Sequence, residues 1–400
     1  MNLMLRKSII FRVLSFFVVF NLLFSCCNNS VEDAKKRNIL FYIGAGESII
    51  NDDVMGKINQ IRLGWQPGYG EMIIYIDRIG QQGACLLRVN ETKNAQGYSG
   101  LDTLQVYGRE NSADSEVLSR VINKMVLDYP ADNYGMIFFS HGSGWLPEGT
   151  LSNPRSLVID DDNGGGKTNR EMEYYDFAAA IPDNLFDFII FEACLMADVV
   201  SMYELRNEAE YVLASSSEIV SPGFEYIYSK NVMNLFNTNS SIQSILSNFA
   251  QSYFDVILSF PENSFRNSSA LSILKMDEME NLASVTKVSL QGMSIDEENL
   301  AISDIQSFDR PNALSKQPRS RYYDFADAMK NLISESHYKS FNEQLEKTVV
   351  WKASTKRFFS GQPGAFYINN HCGLTTYIEQ DAFPFLNSTY RNSSWYKAIY

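Results

Sequence analysis

Five short apolar runs punctuate the first half of this chain, each stopped by glycine or a polar cluster. Ile39–Ile43 ends at Gly44, and Met72–Ile76 ends at Asp77. Gly135–Phe139, Phe188–Phe191 and Tyr211–Ala214 follow the same form. Continuous apolar runs of this length read as strands buried on both faces. Between the second and third, Val117, Leu118, Val121, Ile122, Met125 and Val126 recur at helical spacing. Strands separated by helices imply parallel crossovers and a mostly parallel central sheet with helices on both faces. Further on, Ile242–Leu258 and Tyr323–Ile333 read as helices, and Ala365–Asn369 and Leu374–Ile378 as strands extending or flanking that sheet. The organisation expected is a leader over 1–25, a tether over 26–37, an α/β core over 38–240 and an α/β extension over 241–400.

In such sheets the chemistry gathers at the carboxyl ends of the strands. Strand 134–140 delivers His141, then Gly142-Ser143-Gly144-Trp145; strand 187–191 delivers Glu192-Ala193-Cys194. A helical pattern from Leu195 to Arg206 places the thiol at a helix start, where the macrodipole favours thiolate. A histidine on the neighbouring strand end suits proton transfer, and glycines after it let backbone N–H groups approach an oxyanion.

Around these residues the sequence resembles the clostripain-like cysteine peptidases. Tyr134-Gly-Met-Ile-Phe-Phe-Ser-His-Gly-Ser-Gly-Trp145 is similar to their histidine motif, and Phe186-Asp-Phe-Ile-Ile-Phe-Glu-Ala-Cys-Leu-Met196 to their cysteine motif. Tyr211–Glu218, Pro222-Gly223-Phe224, Tyr323-Asp324-Phe325 and Gly373–Ile378 resemble further landmarks. The resemblance implies a caspase-like α/β fold, a His141–Cys194 dyad and cleavage after Arg or Lys, with the N–H groups of Gly142 and Cys194 holding the oxyanion. It also implies an acidic pocket at Glu192, where the family usually has Asp; the longer side chain makes that pocket shallower, which favours Lys over Arg or weakens basic specificity altogether. Glu218 is a second candidate wall. The rival expectation is a catalytically silent surface protein that binds peptides.

The interval between the dyad residues carries two further readings. Arg155, Lys167 and Arg170 sit in a glycine-rich stretch suited to self-cleavage, Lys167 most of all. Asp160, Asp162 and Glu171 partly fit a calcium loop, although Gly164 stands where a side-chain ligand belongs. The ending Gly-Lys-Thr168 is not a phosphate loop, because its first glycine is replaced by Asp161. No cofactor is otherwise expected, and no Gly-x-Ser-x-Gly elbow points to a serine hydrolase.

Composition narrows the partners. Net charge is −13, from 34 basic and 47 acidic residues, and a body this acidic repels nucleic acid. Substrates are expected to be proteins or peptides with basic residues. Arg6, Lys7 and Arg12 precede the apolar stretch Val13–Phe24, which ends in Ser25-Cys26. That pattern resembles a lipoprotein signal with Cys26 lipidated, implying export and attachment to a bacterial membrane. Cys85 is expected in the core and His337 in solvent. His371 and Cys372, adjacent in sequence, point to opposite faces and are read as structural.

Overall fold

The computed structural model describes residues 35–45, 53–78, 83–148, 150, 171–310 and 319–400. Residues Lys36–Tyr400 form one compact unit. Its centre is a nine-stranded sheet in the order β10-β8-β7-β6-β5-β1-β2-β3-β4. The strands are β1 Arg37–Ala45, β2 Met72–Arg78, β3 Cys85–Lys93, β4 Ser99–Val106, β5 Asn133–Phe139, β6 Phe186–Glu192, β7 Ala209–Ser215, β8 Ala270–Lys275 and β10 Val349–Ser354. Strands β2, β1, β5, β6 and β7 run parallel, each to the next. Antiparallel strands close both flanks: β3 and β4 beside β2, β8 and β10 beside β7. The extension expected after residue 240 thus supplies two strands to the same sheet.

Alternation along the parallel strands feeds two cores. Leu40 and Tyr42 of β1 join one face with Met136 and Phe138 of β5; Ile39, Phe41 and Ile43 join the other with Ile137 and Phe139. The second face is covered by α1 (Val54–Gly64), α5 (Glu225–Leu235) and α6 (Ile242–Ser259). The first is covered by α2 (Ser115–Asp128), α3 (Tyr174–Ala179), α4 (Val199–Glu204), α7 (Met279–Leu290), α8 (Phe325–Leu332), α9 (Glu335–Thr348), α10 (Pro384–Asn392) and α11 (Ser394–Ile399). Short pairs β9 (Tyr323–Asp324) with β13 (Thr375–Thr376), and β11 (Arg357–Phe358) with β12 (Phe366–Tyr367), lie outside the main sheet.

Two expected elements differ. The helix over Tyr323–Ile333 begins only at Phe325, because Asp324 caps it through the Asp327 N–H at 2.9 Å while Tyr323 and Asp324 pair with β13. The helix expected from Leu195 begins at Val199, capped by Asp198. Leu195 instead adopts φ +60°, which a helix does not admit.

Candidate functional site

Parallel pairing of β5 with β6 sets Phe139 opposite Glu192. His141 and Cys194 therefore leave the sheet at equivalent positions, each two residues beyond that pair. The loops that carry them touch. A Cβ added to Gly142 would lie 2.5 Å from the Cys194 carbonyl oxygen and 3.1 Å from the Cys194 nitrogen, so only glycine admits this approach. Both His141 and Cys194 are half-buried.

The turn after Cys194 is held on two sides. The Leu195 N–H donates to the Ser217 carbonyl and the Ala197 N–H to the Ser215 carbonyl, both at 2.9 Å. The Thr375 N–H donates to the Ala197 carbonyl at 2.8 Å. The Ile219 N–H lies 3.4 Å from the Cys194 sulfur. The thiol is therefore not at a helix start, and the dipole argument made for it does not apply: the turn held by Ser215 and Ser217 delays helix formation until Val199.

A buried acid that sequence reading missed ties the two loops together. Asp198 accepts from the Val200 and Ser201 N–H groups at 3.0 and 2.8 Å and also bonds the backbone of Trp145. Gly144, at φ +52°, lets the chain pass so close that a Cβ there would sit 2.4 Å from the Asp198 carboxylate. Burial pushes the Asp198 carboxyl up to about 7, partly offset by these donors. Around the same loop, the Ser140 hydroxyl donates to the Gly44 carbonyl at 2.7 Å, and the Tyr322 hydroxyl donates to the Ser143 carbonyl. Trp145 is buried against Tyr377 and Tyr390, with ring centroids 4.8 and 5.8 Å away.

Glu192 does not open onto the cleft. Its Oε1 meets the Lys57 ammonium at 2.6 Å, with both side chains 1% exposed. The Phe224 N–H donates to the same oxygen and the Tyr228 hydroxyl to the other, each at 2.6 Å. Lys57 also donates to the Pro222 carbonyl at 2.5 Å and lies 4.4 Å from the centre of the Phe139 ring. Burial, and next the Glu192 charge, raise the Tyr228 phenol well above its usual range. The expectation that Glu192 lines an open acidic pocket for a basic side chain is corrected by this cage, in which Glu192 reaches Lys57 of α1 and Tyr228 of α5. Lys57, in a helix with an otherwise ordinary polar face, offered no sequence signal of this pairing.

Glu218 is closer to the surface. It pairs with Arg310 at 2.5 and 3.1 Å, and the Arg310 guanidinium lies 3.7 Å from the centre of the Phe359 ring.

The remaining candidates separate from the dyad. His371 shares a 3.2 Å hydrogen bond with the Ser216 hydroxyl, and desolvation, then the Lys352 charge, push it down to about 3. Cys372 is buried, its thiol donating to the Leu374 carbonyl at 3.0 Å, and burial raises its pKa. Cys85, expected in the core, is half-buried on a sheet strand near the edge, and burial, then Asp77, raise its pKa. His337 lies in the first turn of α9, 3.0 Å from the Ser334 hydroxyl. Glu171 is buried. Cys26, Arg155, Asp160, Asp162, Lys167 and Arg170 lie outside the described residues. Among the described residues no three His, Cys, Asp or Glu side chains converge as a metal site.

Known proteins share both the sequence family and the architecture. The sequence model of the clostripain family matches residues 47–398. Clostripain of Hathewaya histolytica is 29% identical over 149 residues, an alignment covering 35% of this chain and 28% of that protein, so the chain matches under a third of its length. An inactive zymogen C11 protease from Parabacteroides distasonis superposes with TM-score 0.74 and 26% identity, over 92% of this chain and 99% of that one. A secreted C11 cysteine protease from Bacteroides thetaiotaomicron, solved with an irreversible peptide inhibitor, gives TM-score 0.74 and 27% identity, over 91% and 99%. With two strand ends leading into touching loops at His141 and Cys194 and a family match over most of its length, this chain belongs to the clostripain family of cysteine proteases.

Proposed function

We propose that the protein is a cysteine endopeptidase in which Cys194 is the nucleophile and His141 the acid–base. One observation carries this reading: the two side chains leave adjacent parallel strands at equivalent positions, on loops whose backbones touch at Gly142 and Cys194. The Cys194 sulfur, as thiolate, adds to the scissile carbonyl carbon, and the N–H groups of Gly142 and Cys194 receive the charge that gathers on oxygen. His141 gives its proton to the leaving amine as the C–N bond breaks. Water then attacks the thioester, returning a proton to the imidazole and freeing the carboxylic acid. Asp198 is a positioning residue that keeps the two loops together.

A preference for Arg or Lys before the cleaved bond belongs to the same proposal. It is supported by the family resemblance and by the acidic chain, with Glu218 rather than the enclosed Glu192 as the accessible acid. Self-cleavage between His141 and Cys194, after Lys167 first and at Arg155 or Arg170 next, is supported by the Parabacteroides relative being a zymogen. Export and attachment through a lipid on Cys26 are supported by the preceding basic and apolar residues.

Short reporter peptides test the chemistry. Cys194→Ala and His141→Ala should each lower kcat by about a thousandfold or more, and Cys194→Ala should remain one chain where the wild type becomes two. Equal turnover by Cys194→Ala would end the proposal. Loss of membrane partitioning on Cys26→Ala is the test of the anchor.

A further inference from the structure

Strand register carries the level of the thiol across the sheet to its far edge. Ile190 of β6 lies opposite Leu213 of β7, Leu213 opposite Ile273 of β8, and Ile273 opposite Trp351 of β10. Four positions further along, this row reaches Cys194, Ser217 and Thr355, with Ser269 contributed by antiparallel β8. Hydrogen bonds continue it past the strand ends. The Leu195 N–H donates to the Ser217 carbonyl and the Thr355 N–H to the Ser269 carbonyl, both at 2.9 Å, and the Ser216 N–H to the Ala270 carbonyl at 2.8 Å. Three strand spacings therefore set Thr355 level with the thiol and about 14 Å to its side.

Thr355 borders a cavity of about 520 Å³. Phe254 and Leu258 of α6 give it an apolar lining, and Lys356, Arg357 and Tyr367 add two cations and a ring; Glu262 is the one acid among its lining residues. Leu258 and Tyr367 are 52% and 56% exposed, so the apolar part is open to a ligand. The Arg357 guanidinium lies 4.5 Å from the centre of the Tyr367 ring and donates to its hydroxyl, which leaves further N–H groups for an acceptor. Among the described residues neither Lys356 nor Arg357 pairs with a carboxylate. Two cations beside apolar walls, in a chain of net charge −13, suit a carboxylate on an aliphatic stem. The loop joining β11 to β12 also holds Phe359, which meets Arg310; Arg310 pairs with Glu218, the neighbour of Ile219, whose N–H lies 3.4 Å from the Cys194 sulfur. Contacts thus run unbroken from the cavity to the thiol.

Sheet order sets the direction of a bound peptide. His141 follows β5, on the side of β6 away from β7, β8 and β10. The leaving amine takes its proton from that imidazole, so the half of the substrate after the cleaved bond departs over β5. The half that stays on the sulfur extends over β7 and β8 towards the cavity. An extended chain advances about 3.3 Å per residue, so about four residues span the distance.

We infer that this cavity is a distal subsite for an acidic side chain, glutamate above all, at the fourth residue before the cleaved bond. Lys356 and Arg357 receive its carboxylate and Leu258 its aliphatic stem. The inference rests on the peptidase reading above.

Full-length protein is assayed with reporter peptides that keep the residue before the bond fixed and carry Glu, Gln or Lys at the fourth position. The value of kcat/KM should be about tenfold higher for Glu than for Lys, chiefly through KM, and the preference should shrink at about 0.5 M salt. Moving Glu to the second position should remove it. Lys356→Gln with Arg357→Gln should bring the Glu-to-Lys ratio to within about twofold. Because Arg357 also braces the β11–β12 hairpin through Tyr367, Leu258→Glu probes the site from α6 with that bond intact, and should lower the ratio as far. A wild-type ratio within about twofold, or a ratio that survives either variant, overturns the inference while the peptidase reading stands. If no turnover depends on Cys194, the peptidase reading fails separately. Calorimetric titration of Cys194→Ala protein with the intact Glu and Lys peptides then decides the subsite. Tighter binding of the Glu peptide, abolished by Lys356→Gln with Arg357→Gln, supports it; equal binding, or none, overturns it.

Discussion

Removing the ammonium from the Glu192 cage gives a sharp measure of how much the fold depends on it. In Lys57→Met the carboxylate keeps the Phe224 N–H and the Tyr228 hydroxyl, each at 2.6 Å, but loses its only ion-pair partner among the described residues. With both side chains 1% exposed, solvent cannot replace that partner. Breaking a buried pair from one side costs about 3–5 kcal/mol. In a domain of this size that lowers the melting temperature by about 4–6 °C. Lys57→Met with Glu192→Gln keeps a hydrogen-bonding group of the same shape and removes the stranded charge, so it should recover more than half of the loss. Calorimetric melts of the wild type, both single variants and the pair form a double-mutant cycle whose coupling reports the interaction itself. A Lys57→Met protein melting within about 1 °C of wild type would refute the reasoning, since it would mean the carboxylate is not desolvated.

Three other outcomes follow from the site. Gly142→Ala places a methyl group 2.5 Å from the Cys194 carbonyl oxygen, so the loops must part; kcat should fall about a hundredfold with little change in melting temperature, read by steady-state kinetics. Asp198 is protonated more readily in the folded chain, pushed from 3.8 up to about 7 by burial, so its contribution to stability is greatest below about pH 4 and declines as pH rises to 7, by at most about 1.4 kcal/mol per unit. Asp198→Asn should flatten that decline in denaturant titrations at several pH values, and parallel curves would count against it. Trp145→Ala removes a ring packed between Tyr377 and Tyr390 and should cost about 3–5 kcal/mol in chemical unfolding.

Strands β1, β2, β5, β6 and β7 were legible because each lies between two helical layers, and burial on both faces leaves continuous apolar runs. Strand β3, Cys-Leu-Leu-Arg-Val-Asn-Glu-Thr-Lys, and β4, Ser-Gly-Leu-Asp-Thr-Leu-Gln-Val, escaped notice because near the sheet edge their exposed positions carry polar residues. His141 and Cys194 were readable because each directly follows a strong strand signal. Glu192 was misread because charge conveys nothing about which neighbour answers it: Lys57 lies 135 positions earlier, in a separate helix. The helix expected at Leu195 failed because apolar spacing cannot register the hydrogen bonds that Leu195 and Ala197 donate to the Ser217 and Ser215 carbonyls, which hold four residues in a turn.

The bond from Thr375 to the Ala197 carbonyl spans 178 positions, and Trp395 packs against Tyr203 of the helix that follows the turn. A ribosome that has translated as far as residue 370 has already released the thiol and the imidazole, yet the brace under the thiol's turn has not been made. The nascent polypeptide thus carries residues 141 and 194 for a while before the C-terminal brace under the second of them exists.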